Sequence, residues 1–403
     1  MKLHFGYGKR YISSFVDKHP AIYVLAAVLL IMVSINYLAY LKLEKKARQG
    51  QAEHARAREE FYKKVHGEDL VEDYKLVALE QSIGPRYYPF VEYIETARNG
   101  RFVNVSNQGT RCHYSNRDFC TAKGGMKEIW IFGGSTTFGY GVKDNETIAA
   151  YLAEKLPDYR IVNFGAASYY STIERVRFEN LLTEFAPPKA AVFIDGLNDF
   201  YYFNVPDSSH YSPILKAAEE SIVNRPEPLE ALKNDLRSLL GRLAIYRYLH
   251  AKFGLSTKIS GADASQAPIS KATASQEQIS KAIARFHLNH SIVASIGDKL
   301  GVTVINVLQP VPTYGVGHKT SHVPGEALNF GDHANSGLAY REMLTPNGDL
   351  RHQDSHTLNL ANLGINEGMY VDTVHYSPLF NKKIAFEIYK RLSVSFGNPK
   401  NRR

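Results

Sequence analysis

Only two of the 403 residues are cysteine, Cys112 and Cys120. A fold stapled by several disulfides is thereby excluded. What remains is one local bridge in an oxidising compartment, or two reduced thiols. Nucleic-acid-binding motifs are also absent, and the basic residues behind the net charge of +8 are scattered, so no nucleic-acid partner is expected. The densest basic cluster, Lys42 to Lys64, directly follows an apolar run and points to a membrane surface instead. A metal centre lacks its parts. His352 and His356 in HQDSH have a spacing that suits zinc on a helix, but no glutamate base or third ligand accompanies them. Neither metal nor organic cofactor is expected. With 44% hydrophobic and 22% charged residues the chain has the composition of a folded protein.

Charge is missing altogether from Ala21 to Leu41, AIYVLAAVLLIMVSINYLAYL. As a helix this run is roughly 30 Å long, the thickness of a bilayer's hydrocarbon layer. Tyr23, Tyr37 and Tyr40 stand near its ends, where aromatic rings prefer the interface, while Ser34 and Asn36 are polar groups that want partners in lipid. The run exceeds a usual signal core, and no small-x-small cleavage site precedes LEKKARQG. An uncleaved single-pass anchor is expected. Lysine and arginine flank it on both sides, so the positive-inside rule gives no orientation.

The chain therefore divides into a tail (1–20), a transmembrane helix (21–41), a charged helical stalk (42–66), a loop-rich lead-in (67–127) and a domain over 128–403. Within that domain strands and helices alternate. EIWIF (Glu128–Phe132), IVN (Ile161–Asn163), AAVFID (Ala190–Asp195) and VTVINV (Val302–Val307) read as buried strands. Helical patterns lie over Thr147–Leu156, Ser171–Phe185, Gln276–Leu300 and Pro378–Val394. Alternation of this kind predicts a three-layer α/β/α sandwich around a mostly parallel sheet of about five strands, of the flavodoxin-like kind. An insertion over 201–285 interrupts it. Ile214–Phe253 has helical periodicity and can cap a site; Ser256–Lys271 is Ser/Ala/Gly-rich. ASQAPISKA (Ala264–Ala272) recurs as ASQEQISKA (Ala274–Ala282), read as a slipped linker and a helix start.

Four short blocks fall at predicted strand ends or before the last helix. GGSTTFGYG (Gly133–Gly141) puts Ser135 just beyond a strand, where open α/β sheets build their sites. The same turn can be purely structural, although neither a dinucleotide fingerprint nor a phosphate-loop lysine is present. NFGAASYYS (Asn163–Ser171) follows the second strand. GLND (Gly196–Asp199) follows the third, where Asn198 is either a turn residue or an amide donor for a developing oxyanion. In VDTVHYSP, Asp372 and His375 are three apart, a spacing that serves a surface cap or an acid–base pair facing one way.

In this order the blocks resemble the SGNH (GDSL-like) hydrolase superfamily, from about Ile129 to the C-terminus. VDTVHYSPLFNKKIAFEIYKRL and VINVLQPVP resemble members with an N-terminal membrane anchor. The resemblance implies Ser135 as nucleophile, His375 as general base and Asp372 as its orienting acid. It implies an oxyanion hole from the N–H of Ser135, the N–H of Ser168 and the amide of Asn198. Here the chain departs from the family's Asn-x-Gly-x-x-Gly form, because Ser168 occupies the second glycine's place. The N–H survives this change, and the points at stake are a glycine-like φ and a narrowed pocket. Gly165 is the alternative donor. The implied activity is esterase chemistry on acyl, chiefly acetyl, groups of surface carbohydrate. The implied location is extracytoplasmic, on the periplasmic side of a bacterial inner membrane, to which a Cys112–Cys120 bridge would be suited. Two alternatives stand beside it: an O-acyltransferase using the same site to acylate a glycan, and a non-catalytic envelope or glycan-binding protein that keeps the fold.

Overall fold

The structure is a computed structural model that describes residues 20–113, 125–201, 243–253, 274–315, 330, 333–344, 356–363 and 368–397. The chain forms two compact units, one from residues 1–56 and 219–267, the other from 57–218 and 268–403.

The first described element is a 47-residue helix, α1 (Pro20–His66). Its Val24–Lys46 stretch is long and apolar enough to cross a membrane, and almost none of it is buried in protein. Ser34 meets its polar need inside the helix by donating to the Leu30 carbonyl at 2.7 Å. At its C-terminal end, within the second unit, the His66 ring stacks on Tyr74 at 3.4 Å. Tyr74 belongs to α2 (Val71–Gln81), which buries Val71, Tyr74, Val77 and Gln81. This helix lies in the segment expected to be a loop-rich lead-in. Two small antiparallel pairs follow, β1 (Arg86–Tyr88) with β2 (Glu92–Ile94) and β3 (Arg98–Asn99) with β4 (Asn104–Val105).

The core begins at β5 (Lys127–Gly133), followed by the single turn α3 (Ser135–Phe138) and then α4 (Ile148–Lys155). β6 (Tyr159–Asn163), α5 (Ser171–Glu184) and β7 (Ala190–Asp195) continue the alternation. Beyond the insertion helix α6 (Ala244–Phe253) come α7 (Gln276–Leu300), β8 (Thr303–Leu308), α8 (Ala334–Met343), β9 (Thr357–Asn359) and α9 (Pro378–Ser395). The sheet has five strands in the order β6-β5-β7-β8-β9, with every neighbouring pair parallel. Parallel strands need cover on both faces. Ile129, Ile131, Val192 and Ile194 face a cluster that includes Leu152 of α4 and Phe380, Ile384 and Ile388 of α9. Alternate residues Trp130, Phe132, Ala191 and Phe193 turn to Phe178 of α5 and Val293 of α7. Three layers result, as the alternation implied.

The second repeat copy is indeed a helix start. Ser275 Oγ accepts the Gln278 N–H at 3.2 Å, and Gln278 Oε1 accepts the Ser275 N–H at 2.9 Å. The first copy lies outside the described residues. Of the stretch read as a site cap, only residues 243–253 are described, and they belong to the unit that holds the apolar helix. There Asn36 Oδ1 accepts the Ile245 N–H at 3.0 Å. A polar amide in an apolar helix finds its partner in this segment, which accounts for where the segment packs.

Candidate active site

Three strand ends and one closed loop converge. The extended Gly134 (φ −76°, ψ −158°) links β5 to α3, so Ser135 opens a helical turn. Its N–H is among those a helix start leaves without an intrahelical acceptor. The turn closes on Gly139 in the left-handed region, whose N–H donates to the Ser135 carbonyl at 3.0 Å.

Asp372 and His375 share a short loop before α9. It is closed by Val371 N–H to the His375 carbonyl (2.8 Å) and Ser377 N–H to the Met369 carbonyl (2.9 Å). Asp372 uses its two oxygens differently. Oδ1 accepts the N–H groups of Val374 (2.9 Å) and His375 (2.8 Å), and Oδ2 lies 2.6 Å from His375 Nδ1. Water lost on burial pushes this carboxyl up. The charge and ring hydrogen bond of His375, with the two N–H donors, outweigh that and bring it down to about 2. An ionised carboxylate can only accept, so the hydrogen of a neutral imidazole sits on Nδ1 and leaves Nε2 as acceptor. His375 Nε2 is 2.8 Å from Ser135 Oγ. The Tyr140 ring stacks on the imidazole at 5.7 Å, behind it.

Beside the serine lies the GLND turn. Asn198 Nδ2 donates to the Tyr169 carbonyl at 2.8 Å, which uses one of its hydrogens and leaves the other. The approach is close: a Cβ on Gly134 would sit 2.4 Å from Asn198 Nδ2, so a side chain at 134 would displace that amide. In the second block, Ser168 takes φ +61°, in the left-handed region that favours glycine. Its neighbours' N–H groups are engaged. Gly165 donates to Asn163 Oδ1 (2.9 Å), Ala166 to the Gly133 carbonyl (3.1 Å), Ala167 to Glu95 Oε1 (3.0 Å) and Tyr169 to the Ala166 carbonyl (3.3 Å). Among the described residues no acceptor takes the Ser168 N–H, whereas the Gly165 N–H, the alternative donor, is occupied by Asn163.

Residues that sequence reasoning missed brace this loop. Glu95 is fully buried, paired with Arg98 at 2.5 Å, and besides the Ala167 N–H it accepts from the Tyr140 hydroxyl at 3.4 Å. The Tyr93 hydroxyl donates to the Ala167 carbonyl at 2.8 Å, and that of Tyr169 donates back to the Tyr93 carbonyl. On the other side Asp199 accepts from the N–H (3.2 Å) and hydroxyl of Ser171 and from the Gly196 N–H (3.3 Å), tying α5 to the GLND turn. The i, i+3 spacing of Glu95 and Arg98 was the only local signal for these braces.

Cys112 is disulfide-bonded, and Cys120, the other cysteine of the chain, lies outside the described residues. Among the described residues no cluster of His, Cys, Asp and Glu can hold a metal ion. His352 lies outside them; His356 Nδ1 is 3.3 Å from the Val304 carbonyl.

No protein-family model matches the chain, and no curated protein matches it. Solved structures similar to it include an acetyl xylan esterase (13% identity, covering 65% of this chain and 98% of that one, TM-score 0.33). A carbohydrate acetylesterase family member from Sinorhizobium meliloti is 12% identical, with 68% and 100% covered and a TM-score of 0.33. A member of the lipolytic protein G-D-S-L family from Veillonella parvula is 13% identical, with 68% and 99% covered and a TM-score of 0.29. At such values the chemistry of this chain rests on its own geometry.

Proposed function

We propose that this chain is a membrane-anchored serine esterase of the SGNH type, with its site outside the cytoplasm and acetylated surface carbohydrate as substrate. One observation carries the reading: a hydroxyl, an imidazole and a carboxylate stand in line at 2.8 and 2.6 Å. The order of the four sequence blocks supports the same reading. The Cys112 disulfide supports an oxidising compartment, and the apolar Val24–Lys46 stretch supports the anchor.

In this reading Ser135 Oγ attacks the ester carbonyl as His375 Nε2 takes its proton. Asp372 stabilises the imidazolium without itself being protonated. The oxyanion forms against the N–H groups of Ser135 and Ser168 and the free hydrogen of Asn198, which are preorganised for charge that appears only in the transition state. Collapse breaks the ester C–O bond, and His375 returns the proton to the leaving alcohol. Water then attacks the acyl-enzyme by the same steps in reverse roles, releasing the acid and restoring Ser135.

The test is labelling by a fluorophosphonate, run together with a panel of acetylated sugars and short-chain esters. Labelling and acetate release that both vanish in Ser135→Ala are expected. Absence of labelling in the folded parent protein would remove the enzyme reading and leave an envelope protein with this fold. Acetyl transfer to an added glycan in place of acetate release would replace esterase by transferase.

A further inference from the structure

The insertion helix α6 meets the apolar helix at two points, Asn36 with Ile245 and Lys42 with Tyr248. The side of α1 that carries Asn36 is its covered side: Ala39 is 4% exposed, while Val33, Leu38 and Leu41 around it are open. Leu43, one further turn along the same face, is partly covered. On α6 the residue beside this contact is also small and buried, Ala244 at 8%. Small residues are what allow two helices to approach closely in lipid. Asn36 Oδ1 accepts the Ile245 N–H, one of the donors that the start of α6 leaves without an intrahelical partner. Each segment thereby meets the other's polar need. Six residues beyond Asn36, Lys42 Nζ lies over the ring of Tyr248, three residues beyond Ile245, at 5.5 Å, so α6 rises in the same direction as α1.

The depth follows from the rise per residue. Asn36 stands five residues before Leu41, the last of the uncharged run, which is about 8 Å inside its edge. That is the depth at which interfacial helices lie, about 5–10 Å. The composition of α6 fits the place. AIYRYLHAKF has no acidic residue, carries Arg247 and Lys252, and holds two tyrosines. Leu243 just before it and Leu249 within it are exposed. Tyrosine and basic side chains are favoured at headgroup level, and exposed leucines are favoured just beneath it.

We infer that α6 is a second membrane-contacting element, held to the anchor at Asn36 and Lys42, with its outer face, through Leu249, in the lipid interface. The inference rests on reading α1 as a membrane anchor.

The full-length chain has one tryptophan, the buried Trp130, so an added indole reports its own surroundings. Leu249→Trp and, separately, Val33→Trp are reconstituted in equimolar phosphatidylcholine and phosphatidylglycerol bearing brominated acyl chains. Ester turnover at the parent level reports that each variant is folded. Loss of the added emission is expected for both, with weaker loss at position 249 once Asn36→Leu removes the acceptor for Ile245. Quenching at 33 without quenching at 249 overturns the inference and leaves the anchor standing. Quenching at neither overturns both.

Discussion

Replacing Gly134 with alanine adds one methyl group against the Asn198 amide and removes no functional group. The backbone tolerates it, because φ −76° and ψ −158° are extended values open to any residue. The new carbon would fall 2.4 Å from Asn198 Nδ2 and 3.1 Å from the Tyr169 carbonyl oxygen. Ordinary non-bonded contact needs about 3.5 Å, so the amide must retreat by roughly 1 Å. A donor displaced that far no longer reaches an oxyanion at ~2.7–3.1 Å. Loss of one such donor costs about 2.7–4 kcal/mol of transition-state stabilisation, or roughly a hundredfold to a thousandfold in kcat. The assay is steady-state hydrolysis of a short-chain ester by parent, Gly134→Ala, Asn198→Ala and the double variant. Each single change should lower kcat by that factor. The double variant should be no slower than Asn198→Ala, since the methyl then has no amide to displace. If Gly134→Ala slows the Asn198→Ala enzyme as much as it slows the parent, the methyl acts on something else and the placing of the amide is wrong.

Ser168→Gly should retain ester turnover, because the N–H stays. It should also raise the denaturation midpoint by up to about 1 kcal/mol, relieving a left-handed residue whose usual penalty is ~1–2 kcal/mol; a lowered midpoint would contradict the strain. Asp372→Asn should cut kcat by about 10⁴, because an amide can present its N–H to the ring and favour the wrong tautomer; a fall under about tenfold would remove Asp372 from its role. Acid stability should depend on His113. Burial first, with Arg111 and Arg160 adding to it, lowers this imidazole to about 4, against the hydrogen bond that its Nε2–H donates to the Ile161 carbonyl. The unfolded chain binds that proton near pH 6.5, so stability is full above this value and falls toward pH 4, by about 1.4 kcal/mol per pH unit. His113→Gln should flatten this slope in urea titrations between those limits, and an unchanged slope would refute it.

How much was readable depended on how far each element could be recognised from its own residues. β5, β7 and β8 are buried on both faces and therefore appear as apolar runs. Three-residue β9 is half-buried at the sheet edge and has no such run. α8, with Asn335, Ser336 and Gly337 in its first turn, is held by Tyr340 and Met343 packing under the sheet rather than by helical propensity. α2 did carry a signal, since Val71, Tyr74 and Val77 recur at three-residue spacing, but the polar stretch around it obscured the pattern. The serine and the two amide-bearing turns were marked by their place after strands, and the imidazole by its place before the last helix. Glu95 was not, because a single carboxylate in a polar segment becomes a brace only when the fold buries it beside Arg98.

The loop that holds Asp372 and His375 is pinned at both ends by its own backbone, with Tyr370 and Tyr376 bridged across it. Asp372 and His375 are therefore held as one cassette. A displacement of that cassette as a unit would leave the imidazole paired and alter a single separation, the gap to the hydroxyl on α3. In the proposed mechanism, loss of nucleophile activation is then a one-coordinate event, reversible by reseating the loop without rebuilding the ion pair.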